Sequence, residues 1–283
     1  MPKSNDHPRR DPRGTPKSPK GDRKDVEALL NAAPTIERVA AVARVALAQR
    51  DGSATCPRYF GALDKALLEE PPIFAGKAYA DTYRAASANG QWLAISLMTA
   101  SEREGDGAQR LWSLAACSVN EEEHQLLKRH ACDESSHALA YLALLDITFP
   151  GAVDPSFRSE MNQLSPHYSM GQTVSAVPGS PYARIPTVDD YIQMNIAEIR
   201  TTIHHFMQRP ALAVHCSPDN LRRATKVLDS VLRDELSHIA YSAMLIERKS
   251  EDMDATEFQA LFCKRVRDFN RITSKEVGEL IFD

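Results

Sequence analysis

A chain of 283 residues, 43 % apolar and 25 % charged, is long enough to bury a sizeable core and has the composition of an ordinary globular protein. Its net charge of −4 leaves no global footprint for nucleic acid, and no apolar run approaches the ~18–20 residues that cross a bilayer. The five cysteines (Cys56, Cys117, Cys132, Cys216, Cys263) are scattered without a Cys-x-x-Cys. That argues for reduced thiols and a cytoplasmic setting, and against a zinc ribbon or rubredoxin-type centre.

Residues 1–24 carry five prolines and eight Lys/Arg against three Asp, a charge of +5 that leaves −9 on the rest. With no large apolar residue after Met1, this segment reads as a disordered basic tail, more a solvated arm than a nucleic-acid arm. No apolar stretch follows it, so a secretory leader is not expected. The remainder, 25–283, reads as one helical domain.

Helical patterning starts near Val26. Thr35 can cap a helix over 36–49, with Ile36, Val39, Val42 and Val45 at three-residue steps, and Asp51-Gly52 ends it. A short amphipathic helix over 59–68 stops at Pro71-Pro72. From about Ala75 a longer helical pattern runs through Trp92, Ile95 and Met98 to Glu102, where Gly105 and Gly107 threaten a kink or an early end. Asn120 is a good cap for the next helix, and Glu121, Glu122 and Glu123 complement its dipole. That helix closes near Phe149-Pro150. A proline-rich crossover, 150–187, follows with room for one short helix after Asp154; it reads equally as a lid or as a plain connector. A helix over 188–209 is bounded by Pro210, and Ser217-Pro218 open the next. A last amphipathic helix, roughly 254–282, offers Phe258, Leu261, Phe262, Phe269 and Ile272 to the core. There is almost no strand pattern. The fold class is all-α.

Two of these helices carry one motif. Asp133-Glu134-Ser135-Ser136-His137 recurs as Asp234-Glu235-Leu236-Ser237-His238. Residues three apart share a helix face, roughly 4.5 Å apart along the axis, so each Glu-x-x-His can reach one metal ion. Two such helices, each partnered by a helix with one inward Glu, make the di-iron or di-manganese carboxylate site of ferritin-like four-helix bundles. A single Glu-x-x-His arises by chance, as Glu121 and His124 illustrate, but matched copies do not arise so easily. Four inward carboxylates without cations would be very costly to bury.

Facing residues of an antiparallel helix pair lie at equal distances from the turn. Around Cys216-Ser217, Glu198 stands opposite Glu235. Around a turn centred near Ser118, Glu134 stands opposite Glu102, with Glu104 the competitor if the turn shifts. Asp133 and Asp234 are candidates to hold the second nitrogen of the ligand histidines across the bundle, with a solvent-facing Asp as the alternative for either. His130, one turn before Glu134, is either a third histidine of the site or a core histidine beside it. Tyr141 and Tyr241 fall near the site face, where packing is the plainer role; His205, two turns after Glu198, could line a pocket or equally sit near the surface. The cysteines have no base beside them.

At these residues the chain resembles the p-aminobenzoate N-oxygenase family of di-iron oxygenases. The likeness lies in Ala100-Ser101-Glu102, Asp133–His137, Ala197-Glu198 and Leu232–His238, over about 92–245. It implies Glu102, Glu134, His137, Glu198, Glu235 and His238 as metal ligands, favouring Glu102 over Glu104. The family's additional histidine, one turn before the second Glu-x-x-His, is Val231 here, which cannot bind metal. The expectation is a non-haem di-iron centre, with manganese as the alternative. It would activate O2 as co-substrate to hydroxylate or N-oxygenate a small organic molecule. Electrons would come from an external donor, since no flavin, nicotinamide or iron–sulfur motif is visible, and the resemblance implies a homodimer. The competing readings are a ferritin-like iron oxidase or peroxide scavenger, and a non-enzymatic helical binding module.

Overall fold

Capping chemistry sets where the long helices begin. In the computed structural model, which describes residues 22–50 and 55–282 with side chains over 25–50 and 55–276, the chain is all-helical, and no strand occurs among the described residues. The order is α1 (Asp22–Asn31), α2 (Glu37–Arg50), α3 (Pro57–Glu69), a 3-10 turn (Ile73–Ala75), α4 (Lys77–Ser87), α5 (Gly90–Cys117), α6 (Glu121–Thr148), α7 (Pro155–Leu164), α8 (Val188–His215), α9 (Pro218–Lys249) and α10 (Ala255–Phe282). Residues 1–21 of the basic tail and the Asp51-Gly52 stop lie outside the described residues. The helix α1 begins at Asp22, inside the segment read as tail.

Asn120 Oδ1 accepts from the Glu123 amide at 3.0 Å to start α6, and Ser217 Oγ accepts from the Asn220 amide at 3.3 Å to start α9. Thr187 and Asp190 form a reciprocal capping box at the start of α8, and Arg184 of the crossover clamps Asp190 from outside at 2.6 and 2.7 Å.

Three expectations change. The long pattern from Ala75 is two helices, because Asn89 takes the amides of Gln91 and Trp92 on its side chain and restarts the chain as α5. Gly105 and Gly107 do not end α5, which runs on to Cys117. Pro210 does not end α8, which continues to His215 with Ala211 and Leu212 buried against Leu93 and Leu97 of α5. That packing offsets the lost amide bond.

The hairpins α5–α6 and α8–α9 lie side by side, with α6 against α9. Around them, α2 packs on α9 and α8, α4 bridges α5 and α8, and α10 lies along α3 and α8. Phe258, Phe262 and Phe269 of α10 enter the core as expected, whereas Ile272 stays 44 % exposed. The core has two parts. One, around Val42, Tyr59, Leu127, Ile199, Ile239 and Phe262, occupies the end nearest α2 and α3. The other, around Leu93, Leu97, Leu144 and Leu228, occupies the end nearest the α8–α9 turn. The buried acidic and imidazole groups lie where these two apolar clusters meet.

The crossover is fastened to α5 and α6. Ser135 Oγ donates to the Pro166 carbonyl and accepts from the Tyr168 amide at 3.1 Å. Lys128 Nζ donates to the Gln172 carbonyl at 2.7 Å. Tyr168 stacks on Trp112 with ring centres 4.3 Å apart.

Candidate metal centre

Two buried groups of acidic and imidazole side chains can each hold a metal ion: His130, Glu134, Glu198 and His238 in one, and Glu104, Glu134, His137 and Glu235 in the other. Glu134 belongs to both. Its Oε1 lies 3.3 Å from His130 Nε2, 3.5 Å from His137 Nδ1 and 3.7 Å from His238 Nδ1. His137 Nδ1 is 3.3 Å from Glu235 Oε1, and His130 Nε2 is 3.3 Å from Glu198 Oε1.

Five of the six expected ligands meet here: Glu134, His137, Glu198, Glu235 and His238. The sixth, Glu102, does not. Its side chain is exposed, and Glu104 is the α5 carboxylate turned inward. The reason is the position of the turn. α5 ends at Cys117 and α6 begins at Glu121, so the turn centres on Val119. Glu134 is 15 residues beyond that centre, and 15 residues before it is Glu104.

Gly107 explains why α5 carries a glycine where helical propensity disfavours one. A Cβ there would come within 3.1 Å of Glu134 Oε2, and one at Gly105 within 3.2 Å of Pro166 Cδ. These glycines let Glu134 and the crossover approach the α5 backbone.

The repeated Asp residues cross the bundle. His238 Nε2 is 3.1 Å from Asp133 Oδ2, and His137 Nε2 is 3.4 Å from Asp234 Oδ2. Each motif's Asp thus holds the other motif's histidine and leaves its Nδ1 facing the centre, the arrangement that fixes ring and tautomer for metal binding. His130 is held differently: its Nδ1 meets Tyr241 Oη at 2.7 Å, and its Nε2 faces inward. Its ring stacks on His238 with centres 3.6 Å apart. Sequence spacing left His130 open between ligand and core residue; its membership of the four-residue group is what the fold adds. Tyr141 and His205 are both buried, with Tyr141 Oη 3.4 Å from His205 Nε2, so His205 is not near the surface.

The electrostatics are those of a site crowded with anions. Burial pushes Glu198 up to about 8 and Glu235 to about 7, and neighbouring carboxylates add to the shift. Glu104 is raised well above the carboxylate range by burial and by the charge of Glu134. Burial works the same way on Glu134, but the His130, His137 and Glu104 side chains that face it outweigh burial and hold that carboxyl well below its usual value. His137 is raised well above the imidazole range, because Asp234, Glu134 and Glu235 outweigh its burial.

The residues fit a pair of divalent ions. His130 Nε2, Glu134 Oε1, His137 Nδ1, both Glu235 oxygens and His238 Nδ1 are buried without a hydrogen-bond partner, and all belong to the two groups. Buried polar atoms are rarely left so. Four carboxylates would also balance two dications.

Two cavities adjoin the centre. One of about 340 Å³ reaches Glu104, Glu134 and Glu198 past Gly107, Tyr182 and Met194. The other, about 520 Å³, reaches Glu104 past Tyr83, Trp92, Tyr141 and Gln208. Arg103 and Arg200 line both, and Glu276 of α10 binds the two guanidiniums between them.

The chain is thus an all-helical bundle with a buried acidic and imidazole centre able to hold metal. No family model, curated protein or solved structure matches it.

Proposed function

We propose that this is a ferritin-like non-haem di-iron protein that activates O2 to oxygenate a small organic substrate, in the manner of the p-aminobenzoate N-oxygenase family it resembles. The observation that carries the reading is the convergence of six buried, unpartnered donor atoms from α6 and α9 on two adjoining groups that share Glu134. Glu104, Glu134, His137, Glu198, Glu235 and His238 would hold the ions, Glu104 replacing Glu102 in the expected set. Bound ferrous ions would supply the electrons for O2 reduction, and an external donor would restore them.

The protein's own groups have distinct tasks. Asp133 and Asp234 orient the histidines. The apolar clusters at either end keep water from the centre. The two cavities that open on Glu104 fall in the size range of small-molecule sites and supply room for the substrate.

The test is an anaerobic Fe(II) titration of the metal-free protein, followed by O2 and an absorbance spectrum. Two irons per chain, falling to one in Glu198→Ala, with a transient visible band after O2, are expected. No stoichiometric iron, or iron binding indifferent to Glu198→Ala, overturns the reading.

A further inference from the structure

We propose that the two metal positions are chemically unlike, and that His130 makes one of them selective for iron while the other accepts manganese. The inference rests on the metal-centre reading and concerns which ion goes where. One group offers two imidazoles and two carboxylates, His130 and His238 with Glu134 and Glu198; the other offers one imidazole, His137, and three carboxylates. Imidazole suits iron, whereas carboxylate oxygen suits manganese.

The difference is built by a residue that the repeated motif does not share. His130 lies four residues before Glu134; the matching position before Glu235 is Val231, buried and without a donor atom. His130 is completely buried, and its orientation is fixed from behind. Tyr241 Oη donates to Met194 Sδ at 3.1 Å and so is free to accept from His130 Nδ1–H at 2.7 Å. That tautomer leaves a lone pair on Nε2. The lone pair points at Glu134 and Glu198 oxygens, each 3.3 Å away, yet Nε2 makes no hydrogen bond. A lone pair aimed at two carboxylates is repulsive unless a cation or a proton lies between them, and a metal ion supplies that charge where both carboxyls are ionised.

The experiment loads the full chain anaerobically with two Fe(II), challenges it with increasing Mn(II), and measures both metals after desalting. The expected result is a plateau over a wide range of manganese excess, with one iron retained and one manganese gained per chain. In His130→Gln the plateau disappears and both irons exchange. Tyr241→Phe, which removes only the hydroxyl, shortens the plateau by about tenfold in manganese concentration, and covers the case in which His130→Gln fails to fold. Simultaneous loss of both irons from the wild type, or an unchanged plateau in both variants, overturns the inference while leaving the di-metal reading intact. A chain that binds neither metal sinks the reading itself.

Discussion

The hairpins α5–α6 and α8–α9 carry the same motif on their second helices but place their other carboxylates by different means. In α8–α9 the turn is two residues, Cys216 and Ser217, pinned by the Ser217 cap and Pro218. Glu198 reaches the centre from an uninterrupted helical stretch. In α5–α6 the turn is three residues, and Glu104 arrives beside two glycines whose missing side chains make room for Glu134 and Pro166. The second helices differ too, His130 standing where the partner helix has Val231. A duplicated frame therefore holds an unequal centre. The shared motif fixes the level at which the ligands meet, and the unshared residues decide what each side can bind.

Glu134 tests that inequality most severely, because it alone belongs to both donor groups. Glu134→Ala is expected to abolish both metal sites, whereas Glu198→Ala removes a member of one group only; metal content after anaerobic Fe(II) loading separates the two. Equal losses in both variants would show that Glu134 is not shared.

The pH dependence of the metal-free protein should be large. Glu198 at about 8 and Glu235 at about 7 keep protons that an unfolded carboxylate releases near ~4.3. The folded state therefore binds more protons across that window, and stability falls as pH rises through it. Glu104 acts in the same direction, and so does His137, whose raised value contributes stability at low pH that is lost as pH climbs past it. Glu134, depressed, alters stability only below the unfolded value of ~4.3 and leaves this window unaffected. Thermal midpoints should drop from pH 5 to pH 8 without metal, and added metal should stabilise more at pH 8 than at pH 5. A flat metal-free profile would show that the carboxylates are not held together.

Removing the crossed supports should cost less. Asp133→Asn and Asp234→Asn each leave a histidine without its anionic partner, which typically weakens metal binding about 10- to 100-fold. Asp133→Asn should weaken the His238 side and Asp234→Asn the His137 side, read as separate steps in a titration. Loss of the same step in both would contradict the crossing.

Gly107→Ala isolates the device peculiar to α5. Alanine favours a helix interior by about 1 kcal/mol over glycine, so the metal-free protein should not be destabilised. The new Cβ, within 3.1 Å of Glu134 Oε2, should displace that carboxylate and weaken metal binding by about tenfold. Calorimetry of the metal-free protein beside a metal titration would expose a mismatch between the two effects. Unchanged affinity would mean that Glu134 yields without cost.

Most of this frame was legible in the chain. The Asp-Glu-x-x-His repeat and the caps at Asn120 and Ser217-Pro218 are local signals, and local rules placed α6, α9 and Glu198. The repeat made Asp133 and Asp234 candidates to cross the bundle, with solvent-facing side chains as the alternative, and the fold decides for the crossing. What local rules could not weigh was tertiary approach. Gly105 and Gly107 have the composition of a helix end, yet here they are contact points, a distinction that only neighbouring atoms make. Pro210 was misleading for the same reason, since buried packing beyond it carries α8 on. His130 stands one turn ahead of its motif by helical spacing alone, and only Tyr241 and Glu198, far away in sequence, turn it into a donor.

The smallest expected effect closes the comparison between counting along the chain and the folded hairpin. Glu102 and Glu104 differ by two residues, about 200° around a helix, so only one can face Glu134. With the turn centred on Val119, that residue is Glu104, buried with the centre, while Glu102 is exposed. Glu102→Ala should change stability by no more than about 0.5 kcal/mol, as for an exposed position without special contacts, and leave metal stoichiometry at the wild-type value. Glu104→Ala, in parallel, should lose the ion on the His137 side. If the two variants exchanged these outcomes, α5 would have to be rotated by half a turn, and Gly107 would no longer lie against Glu134.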